Sequence, residues 1–298
     1  MNQVQKGILL MILSALSFSA MQVVIRLTHE IPTMEQVFVR NSFVLVVAFI
    51  LIRHRRGSLF GLPRHQPLLF VRSLFGFLGL ITLFYASSHA PQGDVTILNK
   101  LCPICVTLLA VIFMGERLSG IQIPALCLSL AGAFIVFRPS FESNPLPLLS
   151  AFLSAVFSGV AYTTLAYSKN KVDALTIIMH FSTFSAIASI PFMVGNFVVP
   201  DLRQLALLLL IGLFGSLGQV FITYSYRLAP ASEVSIYNYI GIIFSLLLGF
   251  LILDEPIKPT SIAGGLLVAI ASVVVFFHNK RRTMGHASAS STHTENQS

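Results

Sequence analysis

Apolar positions in this chain come in runs of about twenty residues that are predominantly, though not wholly, hydrophobic. Ten such runs are legible, at approximately 7–27, 35–53, 67–88, 93–114, 119–138, 146–167, 174–196, 203–227, 232–253 and 259–278. Each is long enough to cross about 30 Å of hydrocarbon as a helix. Strand-type alternation is absent, and lipid leaves no partners for unpaired backbone groups, so helices are the predicted spanning elements. The pattern predicts an all-α membrane protein with ten transmembrane helices joined by short connectors and no appended soluble domain. Residues 279–298, NKRRTMGHASASSTHTENQS, lack apolar periodicity and are expected to form a disordered tail.

Composition agrees with this reading: 55% of residues are hydrophobic and 10% charged, against about 25% charged in soluble domains. The formal net charge of +8 would suit a nucleic-acid partner in a soluble protein, but in a membrane chain the placement of Lys and Arg matters more, and no nucleic acid is expected. With the amino terminus in the cytoplasm, Lys6, Arg53, Arg55, Arg56, Arg64, Arg117, Lys169, Lys171, Arg227 and Lys280 to Arg282 fall on the inner side. The outer loops keep Arg26, Arg138, Arg203 and Lys258. The positive-inside rule therefore predicts both termini in the cytoplasm, as an even number of spans requires. The first span is expected to belong to the mature protein, since it lacks the short, cleavable form of a signal peptide.

Comparing the chain with itself reveals a duplication. LFGFLG at 74–79 returns as LFGSLG at 213–218, an offset of 139 residues (213 − 74 = 139). The same offset aligns Phe18-Ser19 with Phe157-Ser158, Tyr85 with Tyr224, Ala90-Pro91 with Ala229-Pro230, Asp94 with Glu233, Asn99 with Asn238 and Glu116 with Glu255. Greasy helices match Leu with Leu by chance, but not a Pro, an acid, an Asn and a Glu in fixed order. The expected organisation is a first five-helix repeat over 1–139, a second over 140–278, and the tail. Five spans are odd, so the second repeat enters the membrane inverted. Inverted repeats supply two arrangements of similar energy, open to opposite sides, around a site near the midplane.

Candidate chemistry lies in the polar residues inside the spans. On a continuous helix, Thr96, Asn99 and Pro103 share one face of the fourth span, and Ser235, Asn238 and Ser245 share the equivalent face of the ninth. The two asparagines can bind a polar solute or bridge helices. Lys100 lies one step around from that face, where a charge costs about 2.5–3.5 kcal/mol. Three readings stay open for it: snorkelling to the interface, a neutral amine, or a wall of a wet chamber that meets an anionic or zwitterionic solute. Its repeat partner is Tyr239, so the two halves differ there. Gln22, Tyr85, Tyr162 and Gln219 are further candidate cavity residues. Arg40 and Arg72 are interfacial anchors or parts of a gate or polar path.

Gly76, Gly79, Gly212, Gly215 and Gly218 are read as close-packing positions. Glu116 and Glu255 are read as helix caps or rim partners for basic residues. Cys102 and Cys105 form a CxxC that lipid keeps from redox chemistry. No metal spacing or nucleotide loop is present, so no cofactor is expected. His89, Ser87 and Ser88 have no partner acid, which disfavours a membrane-embedded enzyme.

The stretches LFYASSHAPQGDVTILNKLCPICVTLLAVIFMGERLSG at 83–120 and ITYSYRLAPASEVSIYNYIGIIFSLLLGFLILDEPIKP at 222–259 resemble the EamA family of the drug/metabolite transporter superfamily. Arg40 and VRSLFGFLG at 71–79 match the second and third helices of that pattern. The resemblance implies an inner-membrane carrier, commonly an exporter of amino acids or other metabolites, with a cavity lined by the first, third, fourth, sixth, eighth and ninth spans. The chain departs from some relatives in having no Trp, which weakens any aromatic cage for quaternary amines. The expected function is alternating-access export or exchange of a small polar metabolite, an amino acid, organic anion or zwitterion, by a monomer or homodimer in the bilayer. Coupling to H⁺ or Na⁺ stays open. A non-transporting receptor or scaffold is the alternative.

Overall fold

In a computed structural model, the residues described are 2–28, 30–89, 92–116, 118, 120–137, 145–195, 197–254 and 259–295. The helices are α1 (Gln3–Leu27), α2 (Thr33–Arg55), α3 (Gln66–His89), α4 (Gln92–Asn99), α5 (Cys102–Met114), α6 (Gln122–Phe137), α7 (Pro145–Tyr167), α8 (Ala174–Met193), α9 (Leu202–Leu228), α10 (Ala231–Val234), α11 (Ile240–Leu253) and α12 (Pro259–Glu295). Short 3-10 segments occupy Pro63–His65 and Ser235–Tyr239. Among the described residues there is no strand.

Among the described residues, eight stretches are long and apolar enough to cross a membrane, and two shorter apolar helices, Gln122–Ile135 and Ile262–His278, lie where the fifth and tenth spans are expected. Two of the eight, Ile97–Met114 and Ala231–Leu253, run through changes of helix geometry. The backbone of α12 continues as helix to Glu295, through the polar stretch for which the sequence predicts no ordered element.

Local signals fix several helix ends. Asn2 and Asp201 begin α1 and α9 with capping boxes, each side chain accepting from the backbone N–H three residues on while Gln5 or Gln204 reaches back. α5 ends on Gly115 at φ 66° and α11 on Asp254 at φ 54°, 139 residues apart (254 − 115 = 139). Left-handed backbone stops both helices, and Asp is among the few side-chain-bearing residues that visit it readily.

The principal helix pairings are α1 with α9, α3 with α7, α6 with α12, and α2 with α8. Serine hydroxyls join α1 to α9 and to α11: Ser14 donates to the Gly218 carbonyl at 2.8 Å, Ser225 to Gly7 at 2.7 Å, and Ser19 to Gly241 at 3.0 Å. Such bonds use backbone carbonyls that close helix approach exposes, and small residues permit the approach. A Cβ at Gly132 would come within 2.7 Å of the Gly264 carbonyl, and one at Gly212 within 2.7 Å of Phe43. The largest buried cluster includes Met11, Leu126, Leu165, Ile222, Tyr226 and Tyr237. Large apolar side chains also cover the outside: Phe113, Leu251 and Val199 are 71%, 70% and 81% exposed, as a lipid-facing surface requires.

Candidate functional site

The fourth span is not continuous, which corrects the shared face drawn for Thr96, Asn99 and Pro103. α4 stops at Asn99, Lys100 and Leu101 form a turn, and α5 starts with Pro103 in its first turn. A proline has no N–H for the carbonyl four residues earlier and its ring crowds that carbonyl, which here belongs to Asn99. The ninth span changes geometry at the equivalent place, with 3-10 backbone over Ser235–Tyr239 between α10 and α11. No proline causes this change. Ser235 is instead held against the fourth span, its hydroxyl 3.0 Å from that of Thr107.

The two interruptions touch. The Tyr239 hydroxyl donates to the Lys100 carbonyl at 2.6 Å, and Tyr239 is fully buried. Lys100 itself is half-buried. Asn99 donates to the Ser154 hydroxyl of α7 at 2.9 Å, tying the same break to a third helix. Glu116, just past the end of α5, accepts from the Ala231 and Ser232 N–H groups at 3.0 and 2.9 Å and from the Ser232 hydroxyl at 2.6 Å. It therefore caps the start of the ninth span. Glu255 lies outside the described residues.

Arg40 and Arg72 are buried, 6% and 3% exposed, so neither is an interfacial anchor. Arg40 donates to the Asn41 side-chain oxygen at 3.1 Å and lies 6.0 Å from the centre of the Phe18 ring. The Arg72 guanidinium lies 4.4 Å from the Phe181 ring centre and 5.7 Å from that of Tyr162. The two arginines are close enough for their charges to act on each other and on Tyr162. Nε of Arg40 and both Nε and Nη1 of Arg72 are buried without a hydrogen-bond partner. An unpaired charge in an apolar interior costs several kcal/mol, and ring contacts of this kind return about 0.5–2 kcal/mol each. Repeat-equivalent glycines make the room: a Cβ at Gly76 would collide with Arg72 Nη1 and Phe181, and one at Gly215 would come within 2.9 Å of Arg40.

The sequence candidates thus divide. Lys100, Tyr239 and Asn99 meet at the break, and Arg40, Arg72 and Tyr162 form a second group, in which Tyr162 also stacks on Tyr226 at 5.4 Å. Gln219 is buried and bonds within α9 to Thr223 at 3.3 Å, while Asn238 is half-buried in the 3-10 segment. Gln22 is exposed, and Tyr85 is 37% exposed and stacked on His89 at 4.4 Å. Neither is drawn into the two groups. Sequence reasoning assigns no role to Phe18, Ser154 or Phe181. The repeated Phe-Ser pair at 18–19 and 157–158 marks the first of them. The cysteines Cys102, Cys105 and Cys127 are free thiols.

The model of the EamA-like transporter family matches the chain twice, over residues 5–138 and 145–277. A protein of Pseudomonas aeruginosa named pseudopaline exporter CntI is 31% identical over 278 residues, covering 92% of this chain and 97% of its own. An S-adenosylmethionine uptake transporter of Rickettsia bellii is 22% identical, covering 92% and 94%. The mouse solute carrier family 35 member G1 is 24% identical, covering 89% and 77%. A solved crystal structure superimposes with a TM-score of 0.81 over 93% of this chain and 98% of that one, at 17% identity, which speaks for the fold alone. A helical bundle clad in apolar side chains, with polar groups gathered inside and transporters among its relatives, is a multi-pass membrane transporter, and this chain belongs to the EamA-like transporter family.

Proposed function

We propose that the chain is a secondary carrier for a small polar metabolite, working by alternating access of two inverted five-helix repeats, 1–139 and 140–278, with both termini in the cytoplasm. The observation that carries this reading is the meeting of the two interrupted spans at repeat-equivalent positions, Lys100 and Tyr239. Interrupted helices in corresponding positions of two halves are where carriers of this architecture hold solute, because unwound backbone offers polar groups at the midplane.

The helix pairings support the same reading. Exchanging the halves turns the α1–α9 pairing into α7–α3, and leaves α2–α8 and α6–α12 as pairings of equivalent spans. Both partners of each exchange are among the principal contacts, as a two-fold relation between halves requires. The exporter name of the 31%-identical relative favours export or exchange as the direction. Lys100, Asn99, Asn238 and Tyr239 would line the site at the breaks, with Tyr162 and the arginines beside them and Gln219 deeper in the bundle.

Two measurements test the proposal. Single cysteines at Asp94 and Glu233, in a chain whose native cysteines are replaced, are expected to label from opposite faces of a sealed membrane. Labelling of both from one face would overturn the inversion. Proteoliposomes are expected to exchange a labelled solute across the bilayer without nucleotide, and absence of flux for every class of small polar metabolite would overturn transport by this site.

A further inference from the structure

The buried arginines bear on the chemistry of the solute. Each brings a permanent positive charge inside the bundle, and among the described residues no carboxylate pairs with either. Three guanidinium nitrogens are left without acceptors. Buried charges are ordinarily paired, and these donors are therefore open to the acceptors of a solute.

Their positions define how far apart its charges lie. The end of α2, the start of α3 and the start of α8 meet at one end of the bundle, where Thr176 donates to the Ser58 carbonyl at 2.6 Å and Gly61 sits against Leu69 and Thr176. Counted from that end, Arg40 lies 15 residues inside α2 (55 − 40 = 15) and Arg72 six residues inside α3 (72 − 66 = 6). The nine-residue difference corresponds to about 13 Å along the helices. Aromatic rings flank both guanidiniums, Phe18 beside Arg40 and Tyr162 and Phe181 beside Arg72.

We infer that the carrier's substrate is an extended dianion, with two carboxylates separated by a spacer, one gripped by Arg40 and the other by Arg72. The inference rests on the transport reading above and names the substrate class for it. Planar guanidinium forks match carboxylates two bonds at a time, and the aromatic walls suit an apolar spacer. A compact dianion such as phosphate would meet one arginine well and leave the other unpaired.

The test is a thermal-melt series on the full chain in nanodiscs, at constant ionic strength, with the straight-chain dicarboxylates from malonate to adipate as probes. Glutaramide serves as the uncharged counterpart, and phosphate and sulfate as compact anions. At least one of the longer dicarboxylates is expected to raise the melting temperature by several degrees, and the other three compounds to leave it unchanged. Arg40→Gln and Arg72→Gln are each expected to weaken that dicarboxylate about tenfold or more, while the unliganded protein melts no lower than before, because a buried unpaired charge has been removed. Arg40→Lys and Arg72→Lys are expected to retain folding and part of the response.

No dicarboxylate response, an equal response to glutaramide, or a response that survives both Gln substitutions would overturn the inference. So would Gln variants that melt lower without ligand, since the arginines would then be structural. Counterflow of the same labelled dicarboxylate in proteoliposomes separates the two readings. Binding without flux sinks transport and keeps the dianion, whereas flux of a neutral or cationic solute without dicarboxylate binding does the reverse.

Discussion

The fourth and ninth spans are copies of one segment, and both depart from regular helix at the same register, yet by different means. The fourth breaks at a proline and presents Lys100, while the ninth tightens into 3-10 backbone without a proline and presents Tyr239. The asymmetry extends to the other cations. At the 139-residue offset Arg40 corresponds to Met179 (179 − 40 = 139) and Arg72 to Ile211 (211 − 72 = 139). Lys100, Arg40 and Arg72 thus all belong to the first half, and their counterparts Tyr239, Met179 and Ile211 are apolar or aromatic. The principal helix pairings are alike in the two halves, while the charges inside them are not.

The sharpest way to break this comparison is to move a charge across it. Ile211 is buried against Val24, Ile31 and Leu208, and the glycine one turn on, Gly215, already faces Arg40. Ile211→Arg is therefore expected to cost about 3–5 kcal/mol and to abolish a monodisperse folded peak in size-exclusion chromatography. Arg72→Ile, the reverse change, is expected to leave that peak intact. Next in size is Glu116→Ala, which strips three hydrogen bonds from the start of the ninth span. It is expected to destabilise by about 2–3 kcal/mol and to raise thiol labelling of a cysteine placed at the buried Ala231, with Glu116→Gln falling between.

A Cβ added at Gly218 would come within 2.7 Å of the Phe18 ring, so Gly218→Ala is expected to cost about 1–3 kcal/mol in thermal melts. Gly115→Ala has open space but a left-handed backbone, and should cost about 1 kcal/mol. The smallest effect is expected from Thr107→Val, which removes the hydroxyl's neutral bonds to Ser235 and to the Pro103 carbonyl, about 1 kcal/mol.

Much of this architecture was legible in the residues because lipid imposes simple demands. Runs of twenty apolar positions could only be helices, and the Pro, acid, Asn and Glu in fixed order exposed the duplication. The break at Lys100 had a visible cause in Pro103. Its counterpart at Ser235–Tyr239 had none, since the contact from Thr107 that accompanies it is 128 residues away in sequence. Arg40 and Arg72 could be recognised as cations inside spans, but not as buried ones. Long flexible side chains can run outward to the interface or inward to rings, and only the neighbouring helices decide which. Phe181, which receives Arg72, lies on a different helix and carries no mark of that role in the chain.

The bond from the Tyr239 hydroxyl to the Lys100 carbonyl has a mechanical consequence. This bond joins the break in one repeat to the break in the other, so under the alternating access proposed above any movement of one break away from the other must first release it. A latch of about 1 kcal/mol holds its closed form only about fivefold over the released one, light enough for thermal motion to undo it on every cycle.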